Sequence, residues 1–261
     1  MEIRLERLEG EDAGIVLLGL NRPSAKNALG RQLLTELQEA LSVLRSDAGV
    51  RVVVVHSLLP GVFCAGADLK ERETMSPSEA GVFVQRIRTT FSELEDLPMP
   101  TIAVIEGAAF GGGLELALAA DLRVAGSAAK MGLVETALAI IPGAGGTQRL
   151  PRLIGVSRAK ELIFTARRIG AEEAGRLGLV DQLAASGGAL PQALRLAREI
   201  LPNGPVALRL AKQAVNRVSG LGLASGLAFE QVGYAQVLST QDRLEGLAAF
   251  REKRKPRFRG E

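Results

Sequence analysis

The sequence has few of the residues on which disulfide, zinc and serine-hydrolase chemistry depend. Its 261 residues include one cysteine, Cys64, one histidine, His56, and no tryptophan. A single cysteine cannot form an internal disulfide, and one histidine with one cysteine is too small a set for a zinc site of the His/Cys type. His56 would also be the sole imidazole base for a nucleophilic serine or cysteine. The composition therefore argues against a metal site and against hydrolase chemistry built on histidine.

Long apolar runs and a strong net charge are also missing. No stretch approaches the roughly 18–20 apolar residues of a membrane span, and the first twelve residues lack the apolar centre of a secretory signal. A formal charge of +3, from 32 basic and 29 acidic residues, creates no whole-chain field that calls for nucleic acid. We expect no membrane and no nucleic-acid partner. The excess of arginine over lysine indicates a GC-rich genome and favours a bacterial cytoplasm, or the mitochondrial matrix if a presequence has been removed.

The hydrophobic fraction of 47% is enough for a large core. Apolar spacing predicts a hairpin, and then strands that alternate with helices. The hairpin strands are 3–8 and 14–20, the later strands are Val52–Val55, Thr101–Ile105 and Asp121–Ala125, and the helices lie near 29–45, 77–96 and after Gly113. This alternation is typical of an α/β protein with parallel strands.

Strand signals vanish from about residue 144 onwards. Glycine and proline mark the ends of seven predicted helices, near 144–152, 156–165, 171–177, 190–200, 205–218, 222–238 and 240–250. A helical final third is either a cover for a site or an assembly surface. Tyr234, on an otherwise apolar helix, is expected in the core.

Two glycine-bearing loops each follow a buried strand. They are Phe63–Asp68 and Gly107–Gly113, and the second opens a helix. Two backbone N–H groups, one from each loop, could grip an oxygen that becomes negative during a reaction. The alternative is that the glycines only permit tight turns. A third glycine cluster, Gly143-Ala144-Gly145-Gly146, is not a G-x-G-x-x-G motif and does not predict a nucleotide site.

Two glutamates lie in apolar surroundings. Glu115 follows Gly113-Leu114, and Glu135 follows Leu133-Val134 ahead of an apolar stretch and a glycine turn. A carboxylate in such a setting is costly unless it is paired, hydrogen-bonded or useful. Capping or ion pairing would explain each one alone. Together, beside a double glycine loop, they form a candidate acid–base pair.

Four segments resemble the signatures of the crotonase superfamily in order and spacing, and the similarity runs over nearly the whole chain, from about Gly14 to Gly260. They are Asn21-Arg22-Pro23 with Asn27-Ala28-Leu29, Ala65-Gly66-Ala67-Asp68-Leu69-Lys70-Glu71, Gly111-Gly112-Gly113-Leu114-Glu115-Leu116-Ala117, and Ile141-Pro142-Gly143-Ala144-Gly145-Gly146-Thr147-Gln148-Arg149-Leu150. Ala67-Asp68-Leu69-Lys70-Glu71-Arg72 and Met131-Gly132-Leu133-Val134-Glu135-Thr136 resemble the AU-binding methylglutaconyl-CoA hydratase branch most.

The resemblance implies a crotonase (α/β) spiral of ββα units in 1–200 and a helical trimerisation region in 201–261, assembled as a trimer or a dimer of trimers. It also implies an acyl-CoA substrate and no metal or redox cofactor, coenzyme A being part of the substrate. Backbone N–H groups of Ala67 and Gly112 would form the oxyanion hole, and Gly66 and Gly111 would be among the residues that bind the substrate. Glu115 would activate water and Glu135 would protonate the α-carbon. Coenzyme A would contact Ala65, Asp68 and the cations Lys26, Lys70 and Lys253.

The reaction implied is hydration of a 2-enoyl-CoA, with methylglutaconyl-CoA of leucine degradation as the first candidate. General short-chain hydration in fatty-acid oxidation is the alternative. Isomerases and hydrolases of the superfamily typically replace one of the two acids, so the presence of both favours a hydratase. Arg72 could bind the distal carboxylate of methylglutaconyl-CoA, or it could face solvent and pair with Glu71 or Glu73. RNA binding is a different alternative. The stretch Gln32 to Arg51, which corresponds to a lysine-rich RNA-binding helix in a relative, lacks most of that positive charge.

Overall fold

A six-stranded sheet and a four-stranded sheet form the centre of the chain, whose computed structural model describes residues 1–218 and 220–261. Within those residues the strands are β1 (Ile3–Arg7), β2 (Ile15–Leu20), β3 (Val52–Ser57), β4 (Val62–Cys64), β5 (Thr101–Ile105), β6 (Ala108–Phe110), β7 (Leu122–Gly126), β8 (Lys130–Gly132), β9 (Ile169–Gly170) and β10 (Gln182–Ala184). The helices are α1 (Arg31–Ser46), α2 (Leu69–Glu73), α3 (Pro77–Glu95), α4 (Gly112–Leu118), α5 (Gly146–Ile154), α6 (Val156–Thr165), α7 (Ala171–Leu177), α8 (Ala189–Ile200), α9 (Pro205–Asn216), α10 (Leu223–Leu238) and α11 (Gln241–Glu252).

Successive turns of the chain each contribute one strand to each sheet. The larger sheet has the order β1-β2-β3-β5-β7-β10 and the smaller one β4-β6-β8-β9. Strands β3, β5 and β7 pair in parallel, and so do β4, β6 and β8. Each pair, such as β5 and β6, is followed by helical structure, which gives the spiral of ββα units. The predicted α/β class and spiral are confirmed.

The run Val52–Val55 is buried on both faces of the larger sheet, as its unbroken β-branched sequence predicts. Val53 and Val55 pack into the main core. Val52 and Val54 pack into a second apolar cluster that contains three alanines of α8, which are Ala189, Ala193 and Ala197. The small side chains of α8 allow this helix to lie close against the sheet.

The prediction that strands end before residue 144 is wrong, because β9 and β10 lie beyond it. Strand β9 pairs antiparallel with β8, and β10 pairs in parallel with β7. The strands β4, β6 and β8 were also read as loop or left unassigned. Each of these five strands has two or three residues. That is too few to show an alternating pattern, and their conformation depends on pairing with strands distant in the chain.

The final helices meet the core through few polar contacts. Lys212 of α9 donates to the Met99 carbonyl at 3.0 Å and pairs with Asp121 at 2.7 Å. No residue of α10 is buried, and Tyr234 is 66% exposed, so its predicted place in the core is wrong for the single chain. The boundary at 200/201 stays a prediction. In the described part of the chain no helix is both long and apolar enough to cross a membrane.

Candidate active site

The two predicted glycine loops lie against each other at the ends of β4 and β6. Gly66 has φ +102°, a conformation that L side chains rarely adopt, and a Cβ atom there would lie 2.7 Å from the Phe110 carbonyl oxygen and 3.6 Å from the Gly112 nitrogen. Only glycine permits this approach. The backbone between β4 and α2 is thereby held next to the N-terminus of α4.

The N–H groups of Ala67 and Gly112 are near neighbours at this contact. A Cβ atom on Gly112 would lie 3.8 Å from the Ala67 nitrogen. Leu29 forms a bridge with the strand around Ala67, donating to the Gly66 carbonyl at 2.7 Å and accepting from the Asp68 N–H at 3.2 Å. Because alternate peptide N–H groups of an extended strand point to opposite sides, the Ala67 N–H points away from Leu29. Gly112 is the first residue of α4, where N–H groups have no intrahelical acceptor.

Glu115 lies in the first turn of α4 and is 3% exposed. Its Oε1 accepts hydrogen bonds from the N–H groups of Ala144, at 2.8 Å, and Gly146, at 2.7 Å. A Cβ atom on Gly112 would lie 3.9 Å from Oε2, so this second oxygen faces the paired loops. Burial raises the pKa of Glu115, while the two N–H groups and the charges of Arg149 and Arg88 lower it. The ionised form is thus held in one orientation.

Glu135 begins a short 3₁₀ helix, Glu135–Leu138, on the other side of the Gly111 backbone. A Cβ atom on Gly111 would lie 3.0 Å from Glu135 Oε1. Oε2 is buried and has no hydrogen-bond partner among the described residues. Burial, followed by the charge of Glu115, raises the pKa of Glu135 to about 7. The two acids therefore flank one loop. Burial raises the pKa of both, but at Glu115 two N–H hydrogen bonds and two arginine charges oppose the rise, whereas the pKa of Glu135 reaches about 7.

Arg72 lies near enough to Glu135 for its charge to act on that acid. Its positive charge lowers the pKa of Glu135, in opposition to burial and Glu115. Its Nε atom is buried without a partner, and within the described residues Arg72 forms no ion pair with Glu71 or Glu73. Glu71 pairs instead with Arg22, at 3.4 Å. The pairing of Arg72 with Glu71 or Glu73 that the solvent-facing alternative assumes is therefore absent among the described residues.

The other predicted binding residues fall into two groups. Ala65, Lys26 and Lys70 are exposed at the rim of the first loop, where the Ala65 N–H donates to the Lys26 carbonyl at 3.1 Å. The Asp68 carboxylate, in contrast, is buried and engaged within the protein. It caps α2 through the N–H groups of Lys70 and Glu71 and pairs with Arg22 at 2.8 Å. Its role in this structure is to shape the loop.

Lys253 lies apart from that loop in the sequence, directly after α11. It is exposed and has φ +54° at the helix end. Its neighbour Arg254 is engaged with Glu245 and Glu252, at 2.6 and 2.7 Å.

Sequence reasoning missed the groups that hold Glu115. Ala144 and Gly146 were noted as parts of a glycine cluster and of a crotonase-like segment, without a role of their own, yet their N–H groups bind the carboxylate. Arg149 and Arg88, which bond to carbonyls of the same turn, were not singled out. The available signal was a glycine cluster next to an isolated apolar-flanked acid.

Cys64 and His56 are both buried. The Cys64 thiol donates to the Asn27 carbonyl, and burial raises its pKa to about 12, so it is not a thiolate at neutral pH. Burial lowers the pKa of His56. No cluster of three or more potential metal-ligating side chains occurs in the ranges that the structure describes.

Comparison with known proteins places these features in context. The model of the enoyl-CoA hydratase/isomerase family matches residues 10–261. Mouse mitochondrial methylglutaconyl-CoA hydratase is 57% identical over all of this chain and 84% of its own length. Mouse mitochondrial enoyl-CoA hydratase domain-containing protein 2 is 56% identical over 99% of this chain and 89% of its own length.

Solved structures show the same relationship. The crystal structure of an enoyl-CoA hydratase from Bacillus anthracis is 48% identical, with a TM-score of 0.96 and full coverage of both chains. The enoyl-CoA hydratase structure from Mycobacterium tuberculosis is 34% identical, with a TM-score of 0.89 over 100% of this chain and 99% of that one.

Proposed function

The chain belongs to the enoyl-CoA hydratase/isomerase family and is an enoyl-CoA hydratase, and we propose that Glu115 and Glu135 perform the reaction with methylglutaconyl-CoA as the preferred substrate. The observation that carries the proposal is the pair of buried glutamates beside two facing N–H groups. A hydratase has to deprotonate water, stabilise an enolate and protonate carbon. The site offers one group for each task.

The oxyanion hole is proposed to consist of the N–H groups of Ala67 and Gly112. Addition of water to the β-carbon moves negative charge onto the thioester oxygen. Two fixed donors that stabilise this charge need no reorganisation when it develops, and one such donor typically contributes ~10²–10³-fold in rate. The proximity of the two nitrogens across the Gly66–Phe110 contact supports this assignment.

The division of labour between the acids follows from their surroundings. Glu115 accepts two N–H hydrogen bonds that favour its ionised form, which suits a base that takes a proton from water. Glu135 has a pKa raised to about 7, which suits an acid that delivers a proton to the α-carbon at neutral pH. An isomerase or a hydrolase does not need both groups.

Arg72 supports methylglutaconyl-CoA as the substrate. That thioester carries a distal carboxylate, whereas crotonyl-CoA has none. A guanidinium with a buried donor near Glu135 can bind a carboxylate through charge-assisted hydrogen bonds. General short-chain hydration is the second candidate, favoured by the similarity to enoyl-CoA hydratase domain-containing protein 2.

Binding of the coenzyme A moiety is proposed at the rim of the first loop. The exposed Ala65 backbone would contact the adenine, and Lys26 and Lys70 lie exposed nearby in the chain for its phosphates. Lys253 would reach the ligand of a neighbouring subunit. The location proposed is a bacterial cytoplasm. Curated relatives include mitochondrial proteins and one from Bacillus subtilis.

A homo-oligomer, as a trimer or a dimer of trimers, is proposed from the surface of α10 and α11. Leu223 and Val232 of α10 are 80% and 61% exposed, and Phe250 of α11 is 87% exposed. A helix that is apolar all round is stable in water only when it is covered. A second copy of the chain, presenting the same helices, supplies an apolar cover.

The test compares a series of substrates, and the loss of the enoyl-thioester absorbance measures hydration of each one. Crotonyl-, longer-chain enoyl- and methylglutaconyl-CoA are offered to the purified protein at one pH, and kcat/KM is compared. We expect hydration of all three classes to be detectable and methylglutaconyl-CoA to have the highest kcat/KM. Equal or better use of crotonyl-CoA would favour the general hydratase, and a 3-enoyl product without hydration would point to isomerisation.

A further inference from the structure

The turn from Gly143 to Gly146 is held from two sides. On its inner side, the N–H groups of Ala144 and Gly146 donate to Glu115 Oε1. On its outer side, the Ala144 carbonyl accepts from Arg149 Nη1 at 3.1 Å, and the Gly143 carbonyl accepts from Arg88 Nε at 3.0 Å. The peptide groups that orient the carboxylate are therefore themselves fixed by two guanidinium groups.

Arg149 is anchored more firmly than its position in the first turn of α5 requires. Its Nε and Nη2 atoms donate to Glu95 Oε2 at 3.1 and 2.6 Å, and Nη2 also approaches Ser92 Oγ at 3.3 Å. Its side chain is 13% exposed. Glu95 is the last residue of α3, so the Arg149–Glu95 pair connects two helices on the outer side of the turn.

The turn requires glycine where its backbone lies against Arg149 and Glu115. Gly145 has φ +113°, and a Cβ atom placed there would overlap the Arg149 guanidinium. A Cβ atom on Gly146 would lie 3.0 Å from Glu115 Oε1. The turn therefore has little room between the guanidinium and the carboxylate, and a displacement on the outer side is passed to the inner side.

We propose that Arg149, held by Glu95, is a positioning residue for hydration: through Ala144 it fixes the two N–H groups that bind Glu115 Oε1 and so keeps Oε2 directed to the water. The inference rests on the proposed role of Glu115 as the base. The hydrogen-bond partners of Arg149 among the described residues are Ala144, Ser92 and Glu95. Arg149 acts on the rate by keeping the carboxylate in the reactive orientation, and misplacement of a catalytic group by about 1 Å can cost ~10²-fold.

The charges around Glu115 support the same assignment. Arg149 of α5 and Arg88 of α3 lower the pKa of Glu115, and burial raises it. Glu135 faces Glu115 from the 3₁₀ helix, and the repulsion between the two negative charges disfavours ionisation. Removal of the Arg149 charge leaves burial and Glu135 less opposed, so the pKa of Glu115 rises. If ionised Glu115 is the base, the acidic limb of the kcat/KM profile then moves to higher pH.

The experiment compares Arg149→Gln with Arg152→Gln on crotonyl-CoA. Arg152 lies on the same helix but is exposed and donates to the Gln148 carbonyl of its own helix, at 2.7 Å. For Arg149→Gln we expect kcat to fall by about 10- to 100-fold with little change in KM, and the acidic limb to move to higher pH. Arg152→Gln should retain the wild-type values.

Two further variants separate positioning from folding. Arg149→Lys keeps the charge and loses the two-pronged contact, so it should restore the acidic limb and only part of kcat. Glu95→Gln should lower kcat less than Arg149→Gln, and the double variant should be no worse than Arg149→Gln alone. If Arg149→Gln does not fold, the test rests on Arg149→Lys and Glu95→Gln. A wild-type kcat and a wild-type acidic limb of the kcat/KM profile in both variants would overturn the inference.

The inference and the proposed function can fail separately. Wild-type kcat and acidic limb in folded Arg149→Gln, with only a lower melting temperature, would reduce Arg149 to a structural residue. If Glu115→Gln is inactive at the same time, the proposed base remains and only the positioning role is lost. Substantial activity of Glu115→Gln would remove the base itself.

Discussion

Arg72 lies near enough to Glu135 for its charge to act on that acid, and no hydrogen bond joins the two side chains among the described residues. The charge of Arg72 lowers the pKa of Glu135, and both Arg72 Nε and Glu135 Oε2 are buried atoms without a protein partner in the described ranges. A substrate with a distal carboxylate gives the guanidinium an acceptor. The same charge disfavours protonation of Glu135, so binding of an anionic acyl group also favours the protonated acid.

Arg72→Met should lower kcat/KM for methylglutaconyl-CoA relative to crotonyl-CoA by about ten- to a hundredfold, since a charged hydrogen bond contributes roughly 1.5–3 kcal/mol. The two values are measured by enoyl-thioester absorbance below pH 7, where Glu135 is largely protonated. Lys70→Met is the matched control, because Lys70 is an exposed cation of the same helix. It should affect both substrates equally. Equal losses in Arg72→Met would exclude the carboxylate role.

Glu115→Gln and Glu135→Gln should each lower turnover by ~10²–10⁴-fold, because each removes one proton transfer. The double variant should lose much less than the product of the single losses, since the two acids serve one reaction. Initial hydration rates measure this effect, and circular dichroism checks that the variants are folded. Near-wild-type hydration by either single variant would remove that residue from the mechanism and favour isomerase chemistry.

Glu135 should make the fold less stable as pH rises. Its pKa of about 7 in the folded protein lies above the ordinary value of 4.5. Between these values the unfolded chain releases a proton that the folded chain keeps, so the free energy of unfolding falls as pH increases. Glutamine does not titrate, so Glu135→Gln does not lose this part of the free energy of unfolding as pH increases. Its melting temperature relative to wild type should therefore be higher at pH 8 than at pH 5.

The control for this stability measurement is Glu9→Gln, which changes an exposed glutamate outside the site. The melting temperature of Glu9→Gln relative to wild type should not rise between pH 5 and pH 8. A Glu135→Gln difference that is the same at pH 5 and pH 8 would show that Glu135 is not held protonated in the folded enzyme.

Binding to AU-rich RNA should be negligible. Phosphate neutralisation by basic side chains supplies nearly all non-specific affinity for nucleic acid. The exposed face of α1 carries Arg31 and Arg45 beside Glu39, and the Arg45 guanidinium is bonded to the carbonyls of Glu93 and Asp96. Filter binding at physiological ionic strength measures this affinity. Submicromolar, salt-dependent retention would indicate a basic surface formed between subunits.

Light scattering after gel filtration should give three or six times the mass of one chain. Lysine at Leu227 and Val232 together should lower that mass, because both side chains are exposed in the single chain and would be buried in an assembly. Ser42→Lys, on the exposed face of α1, is the control and should leave the mass unchanged. A monomeric wild-type protein would contradict the proposed assembly.

Long elements with strong end signals follow from sequence because their determinants are local. The predicted helix 77–96 is α3, which begins with a Ser76–Glu79 capping box and Pro77 in its first turn. Strand Thr101–Ile105 was placed to the residue. The two- and three-residue strands of the smaller sheet could not be found this way, because their pairing partners are distant in the chain.

The sequence by itself determined which residues could do the chemistry: two acids in apolar segments, two glycine loops, and Arg72 shortly after the first of these loops. Only the tertiary structure decided that Arg72 lies near enough to Glu135 to lower its pKa, that Ala67 and Gly112 are neighbours, and that Arg149 bonds to the turn that binds Glu115. The reason is that burial, charge proximity and hydrogen bonds between distant segments fix orientation and pKa. These quantities depend on how the helices and sheets pack, and a local pattern of residues does not contain them.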